Sequence, residues 1–334
     1  MTTITQQARA EALRALHQEP SPLILPNAWD VVSARLFEEA GVQAIGTTSA
    51  GIAATLGYPD GERVPRDEML AVVGRIARAV AVPVTADIEA GYGDTPAEVA
   101  QTARAVIAAG AVGLNLEDGT GDPGCPLADS AAQVAKIRAV REVAVAAAVP
   151  LVLNARTDVY WLGVGDAAGR FTATVERLRV YRAAGADCLF VPGVADEETI
   201  GRLVRAVDGP LNVLAGAGTP TIADLRRLGV KRVSVGSAPL RATLGLVRRI
   251  VDELLRQGTY TAMTTDAIPY AAVNQPSCRS MSSRACSGFP ATTCVKRRGG
   301  WATSCIASRP VVARSRSGAA RWRRAVSSTC FAPS

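Results

Sequence analysis

The chain has 334 residues, 48% of them apolar, and a formal charge of +7, enough to bury one large α/β domain or two smaller ones. No apolar run approaches the roughly 20 residues that span a bilayer, and the N-terminal MTTITQQARAEALRAL lacks the apolar stretch of a signal peptide, so a soluble cytoplasmic protein is expected. The charge is misleading, because all of the excess lies in residues 277–334, which hold eleven Lys/Arg and no acid; residues 1–276 carry 26 basic and 30 acidic side chains, a net −4.

In chain order, apolar strand candidates alternate with helical patterns. The strands read PLILPNA, AIGTTSA, VPVTADI, VGLNLED, PLVLNAR, CLFVPG, PLNVLAG and RVSVGS, separated by segments such as AEVAQTARAVIAAG and TVERLRVYRAAG. That alternation predicts βαβ units and a parallel sheet. Strands one, three, five and seven are entered through Pro22, Pro83, Pro150 and Pro210, where a missing donor does least harm. Strands two, four, six and eight follow Gly41, Gly110, Gly185 and Gly229, which suit the left-handed end of a helix. Eight such units over residues 1–275 predict a closed (β/α)₈ TIM-type barrel. An open doubly wound sheet fits less well, since no GxGxxG follows the first strand.

Residues 276–334 are rich in Ser, Arg, Ala and Cys, show no period, and hold five of the seven cysteines at spacings that match no zinc site. They are expected to be a disordered basic tail; the competing reading is a nucleic-acid arm on an otherwise non-catalytic scaffold. His17 lies on an amphipathic helix and is expected at the surface.

A barrel of this kind carries its active site at the C-terminal strand ends. There the sequence places Ser49, Asp87 with Glu89, Glu117 with Asp118, and Arg156. Asp87 and Glu89, two apart on a strand, are expected to project to the same side, beside Glu117. Three carboxylates in one cleft with no histidine indicate a hard cation, Mg²⁺ or Mn²⁺, that keeps several waters. Arg156 can grip a substrate carboxylate or a developing enolate, and the TTSAG turn at 47–51 offers backbone N–H groups for an oxyanion. The set describes a site for a small 2-oxo acid, although any one of these acids could equally cap a helix.

The stretches LPNAWD, TTSAGIAATLGYPDG, TADIEAGYGD, GLNLEDGTGD, NARTD, YRAAGADCLFVPG and GVKRVSVGSAPLRA together resemble the isocitrate lyase/phosphoenolpyruvate mutase superfamily over about residues 20–275. The resemblance implies a barrel whose eighth helix swaps between paired subunits, in dimers of dimers. It implies Mg²⁺ at Asp87, Glu89 and Glu117, partly through water. Asp60 matches a mobile acidic position near the substrate, Thr48, Ser49, Ala50 and Gly51 the substrate-carboxylate cradle, and Arg156 the substrate-binding arginine. Two branches are thereby implied: carbon–carbon lyases or decarboxylases of small 2-oxo or 2-hydroxy dicarboxylates, and the C–P enzymes (phosphonomutases, phosphonopyruvate hydrolases). The chain departs from the lyases at one loop: where they carry KKCGH or KRCGH with a catalytic cysteine, it reads GTGDPGCPLAD. Cys125 there has no adjacent positive charge to acidify it and is expected to be incidental. Pro192-Gly193 replaces the lyases' glutamate after strand six, and the lysine- and asparagine-bearing loop of the C–P enzymes is not visible.

Overall fold

The computed structural model of the protein describes residues 5–274. The boundary near residue 275 and the tail beyond it lie outside the described residues. Helix α1 (Gln6–Leu16) precedes a barrel built from β1 (Leu23–Leu25), β2 (Asn27–Ala28), α2 (Val31–Glu39), β3 (Ile45–Thr47), α3 (Ser49–Leu56), α4 (Arg66–Ala79), β4 (Val84–Asp87), α5 (Pro96–Ala109), β5 (Gly113–Glu117) and α6 (Ser130–Ala146). It continues through β6 (Val152–Arg156), α7 (Ala167–Ala183), β7 (Cys188–Val191), α8 (Glu197–Ala206), β8 (Leu211–Leu214), α9 (Ile222–Leu228) and β9 (Arg232–Ser234). Three helices follow, α10 (Ala238–Arg256), α11 (Thr261–Thr264) and α12 (Tyr270–Val273).

All strand pairs are parallel, in the order β1-β9-β8-β7-β6-β5-β4-β3-β2. The nine segments make the eight expected strands, because β1 and β2 are one strand interrupted at Pro26. Its first half pairs with β9 and its second with β3, which closes the ring. Pro26 cannot donate, but its carbonyl accepts from the Gly46 N–H at 2.9 Å. The punctuation works as its chemistry demands: Gly41, Gly110, Gly185 and Gly229 all have φ between +89° and +113°. Pro22, Pro83 and Pro210 immediately precede β1, β4 and β8.

Strand alternation sorts the side chains into two layers. On β5, Leu114 and Leu116 are fully buried in the apolar cluster beneath the helices, with Val99, Val106, Ile137 and Val140. Each such aliphatic side chain stabilises the fold by about 1.5–3 kcal/mol. Asn115, between them, points the other way. The barrel interior is correspondingly polar, with Asn115, Asn154, Asn212, Arg232 and Ser234 all buried. Among the described residues no helix is long and apolar enough to cross a membrane.

One expectation fails here. His17 is 2% exposed, at the C-cap of α1, because the cap folds under the barrel floor instead of facing solvent. Its Nδ1 lies 2.8 Å from the Leu13 carbonyl, which makes this nitrogen the N–H donor, and Nε2 has no partner among the described residues. Burial, reinforced by the Arg232 charge, lowers its pKa from 6.5 to about 4. The folded form therefore holds the neutral ring. Its stabilisation is complete above about pH 6.5 and is lost as pH falls towards 4, by about 3 kcal/mol in all. His17→Gln should flatten the fall in melting temperature between pH 7 and 4.5 by roughly 5 °C. Superimposable melting profiles for the two proteins would show that another group drives acid unfolding.

Candidate active site

The C-terminal strand ends form one cleft. A cavity of about 180 Å³ is lined by Ser49, Asp60, Glu62, Glu89, Glu117, Arg156, Asp158 and Trp161. A second, of about 130 Å³, shares Ser49, Asp60, Arg156 and Trp161 and reaches Asp87, Asn115 and Phe190. Asp87, Glu89, Glu117 and Arg156 thus come together as the sequence led one to expect.

The route by which Glu89 arrives differs from that expectation. Strand β4 ends at Asp87, and Glu89 sits beyond it in a left-handed conformation (φ +53°), so strand alternation does not aim it. A reciprocal set of hydrogen bonds does. Glu89 Oε2 accepts from the Glu62 N–H at 2.5 Å, and Glu62 Oε1 accepts from the Tyr92 N–H at 2.6 Å. The Tyr92 hydroxyl lies 3.3 Å from Glu89 Oε1. This ties the segment between α3 and α4, which carries Asp60, to the end of β4. Asp60 itself is solvent-exposed at the rim.

The TTSAG segment is also more ordered than a turn. Thr48 caps α3, its Oγ1 accepting from the Gly51 N–H, and Ser49 opens the helix. Both the N–H and the hydroxyl of Ser49 donate to Asp87 Oδ2, at 3.0 and 2.8 Å. Two donors of the expected cradle are therefore spent on an acid. Ala50 lines the inner cavity, and Gly51 is packed where a Cβ would meet Thr48 Cγ2 at 2.5 Å.

Arg156 is held by two acids. Its Nη1 lies 2.6 Å from Glu117 Oε2, while Nε and Nη2 donate to the two oxygens of Asp158 at 2.6 and 3.1 Å. Trp161 and Phe190 lie 6.0 and 5.7 Å from its guanidinium carbon. Asp158 was legible in NARTD but carried no signal separating it from a surface acid. Asp118, by contrast, does not reach the cleft: it is fully buried, accepting from Thr157, Tyr181, Arg177 and the Asp158 N–H. It is a structural tie under β5 and β6.

The charge balance of the cleft is lopsided. Six carboxylates, Asp60, Glu62, Asp87, Glu89, Glu117 and Asp158, line the cleft with one guanidinium. Burial, then the Asp87 charge, raises Glu89 from 4.5 to about 7. Burial raises Glu117 well above its ordinary value against the opposing pull of Arg156. Excess negative charge in a small cleft is what a cation relieves. Among the described residues, however, no three carboxylates, cysteines or histidines converge tightly enough to cage an ion directly. The donors nearest to one another in the cleft are carboxylate oxygens, the ligand type that hard divalent cations take.

Cys125 is exposed on the loop after β5, its Sγ 3.7 Å from the Leu127 carbonyl, and lines neither cavity. Cys125→Ser should leave turnover within a few-fold of the parent. A loss of about a hundredfold or more, the scale of a general acid/base, would return the thiol to the chemistry.

The phosphoenolpyruvate phosphomutase family model matches residues 13–255. The 2-methylisocitrate lyase of Escherichia coli K12 is 30% identical over 258 residues, covering 75% of this chain and 85% of the relative. A candidate lyase/mutase of Burkholderia cenocepacia J2315 is 43% identical in its crystal structure, with a TM-score of 0.76 over 80% of this chain and 95% of that one. A phosphonopyruvate hydrolase, crystallised with oxalate and Mg²⁺, is 26% identical with a TM-score of 0.70 over 79% and 93%. A match over most of the barrel, with the acids and Arg156 gathered at its C-terminal rim, makes this chain a member of the phosphoenolpyruvate phosphomutase family, within the isocitrate lyase/PEP mutase superfamily of enzymes.

Proposed function

We propose that the protein is a Mg²⁺-dependent lyase or decarboxylase acting on a small 2-oxo or 2-hydroxy dicarboxylate through an enolpyruvate-type intermediate. The observation that carries this reading is the placement of Arg156 among Asp87, Glu89, Glu117 and Asp158 in a cleft sized for a few-carbon acid. Asp87, Glu89 and Glu117 would hold the ion. When bound, Mg²⁺ (or Mn²⁺) supplies Lewis-acid polarisation of the substrate's 2-oxygen and carboxylate. The chain's own groups do the rest. Arg156, already held by Glu117 and Asp158, is oriented to grip a carboxylate and to stabilise negative charge as the bond to C3 opens. Ala50 sits at the first turn of α3, where helical N–H groups favour an anion, while the Gly51 N–H is already taken by Thr48. Trp161 walls the entrance and limits water. Asp60, at the rim, is the group best placed to meet the part of the substrate that leaves.

A second reading, C–P bond chemistry, draws on the likeness to the phosphonopyruvate hydrolase. Assaying the full chain with oxaloacetate and phosphonopyruvate, with and without Mg²⁺, separates the two. Metal-dependent release of pyruvate from a carbon acid supports the lyase reading, and turnover of phosphonopyruvate alone overturns it. The protein is further proposed to act as a homo-oligomer in which α10 docks on a second copy, since its apolar face is exposed on its own barrel.

A further inference from the structure

Arg232 is the largest fully buried side chain in the described residues, yet no carboxylate among them pairs with it. A guanidinium taken wholly out of water costs several kcal/mol unless its environment uses it. It opens β9, opposite Leu23 of β1 and Asn212 of β8, and its side chain extends across the inside of the barrel. Nη2 donates to Asn115 Oδ1 at 3.1 Å; Nε and Nη1 have no partner among the described residues.

Asn115 connects this cation to the cleft. Its Oδ1 takes two donors, Arg232 Nη2 at 3.1 Å and Asn154 Nδ2 at 2.8 Å. With the oxygen so engaged, the amide cannot flip, and Nδ2 is turned to Asp87 Oδ1 at 3.5 Å, the long limit of a hydrogen bond. The other oxygen of Asp87 is fixed by Ser49. A flipped Asn115 would set its Oδ1 against the carboxylate, and the two oxygens would repel. A relay therefore runs from the barrel floor to the acid, Arg232 to Asn115 to Asp87, and it uses residues that a packed apolar barrel would replace with Val, Ile or Leu.

We propose that Arg232 is a positioning residue for the site: by holding the Asn115 amide in one orientation, it fixes the Asp87 carboxylate in the rotamer that receives a divalent cation. The inference rests on the metal reading above. It makes a prediction opposite to that of simple electrostatics. Arg232 is a cation inside the same barrel, beneath the cleft, so if its charge were its only influence, removing it would tighten the binding of a cation there. If it acts by orientation, removing it loosens binding.

The test is a double-mutant cycle read by calorimetric titration of Mn²⁺ into the metal-free full chain, with folding checked by circular dichroism. Arg232→Met should raise the Kd for Mn²⁺ about tenfold, the lower end of what groups behind a metal ligand contribute. Asn115→Ala should raise it similarly. The double variant should be no weaker than the weaker single one, because both act along one path. Arg232→Lys, which keeps a donor inside the barrel, should lie within about threefold of the parent and guards against reading a general loss of fold as a loss of positioning. Unchanged or tighter Mn²⁺ binding in Arg232→Met overturns the proposal, as does an Arg232→Lys variant as weak as Arg232→Met or a cycle in which the two effects multiply. Failure of the parent chain to bind Mn²⁺ overturns the metal reading itself and this inference with it.

Discussion

Asp87→Ala is expected to lower metal-dependent turnover by at least about a hundredfold while leaving the protein as stable as the parent, or more so, in metal-free buffer. The loss follows from position. Asp87 ends β4 at the floor of the cleft, 9% exposed, with one oxygen held by Ser49 and the other facing Asn115. It is the carboxylate best placed at a strand end to hold the ion, so its removal takes away a group on which polarisation of the substrate depends, an effect usually worth a factor of a hundred to a thousand or more. The stability half of the prediction follows from charge. Asp87 is the principal charged neighbour that raises Glu89, and it also raises Glu117. Deleting one of six crowded acids relieves that repulsion, and acids at the functional end of a barrel are kept for chemistry more than for stability. Melting curves in chelator and in Mg²⁺ provide the check. The parent should gain stability on adding Mg²⁺ and the variant should not. A variant that retains turnover, or that still gains stability from Mg²⁺, would remove Asp87 from the site.

Much of this site is legible in the sequence. Proline and glycine at alternate strand entries reported the barrel because each marks a local backbone constraint that sequence alone determines. Asp87, Glu117 and Arg156 were legible for a related reason: a polar residue closing an apolar strand has to face the rim. The rest depends on distance in space. Glu89 reaches the cleft through a left-handed turn stabilised by Glu62 and Tyr92, residues whose letters carry no sign of that contact. Asp118 sits beside Glu117 in the sequence yet is taken by Arg177 and Tyr181 on α7, so one neighbour serves the cleft and the other the scaffold. Nothing in the sequence singles out Asn115 and Arg232, because period-two alternation cannot distinguish a solvent-facing layer from a barrel interior lined with amides. His17 fails for the same reason on a helix: amphipathic spacing shows that a face exists and not what covers it.

The largest change in assembly is expected from α10. Over Ala238–Arg256 only Leu240 is buried. Leu244, Val247, Val251 and Leu254 continue the same stripe at spacings of four, three, four and three, and remain 52%, 54%, 47% and 38% exposed. Helices that close a barrel bury such a stripe on their own strands, as α5 does through Val99, Ala103 and Val106. Leaving four aliphatic side chains in water forgoes about 1.5–3 kcal/mol apiece on full burial, comparable in sum to the whole stability of many domains. A partner surface is therefore proposed, and a second copy offering its own α10 satisfies the requirement symmetrically. Placing charge in the stripe, with Val247→Glu and Val251→Glu together, should convert the assembly to monomers and lower the melting temperature by roughly 10 °C or more, because two carboxylates cannot be buried unpaired. The cleft residues lie on other elements, so monomers should still bind Mn²⁺. Sedimentation of parent and variant decides the matter: a parent that is already monomeric at micromolar concentration, or a doubly charged variant that keeps the parent's mass, would show that α10 is not the surface on which the subunits meet.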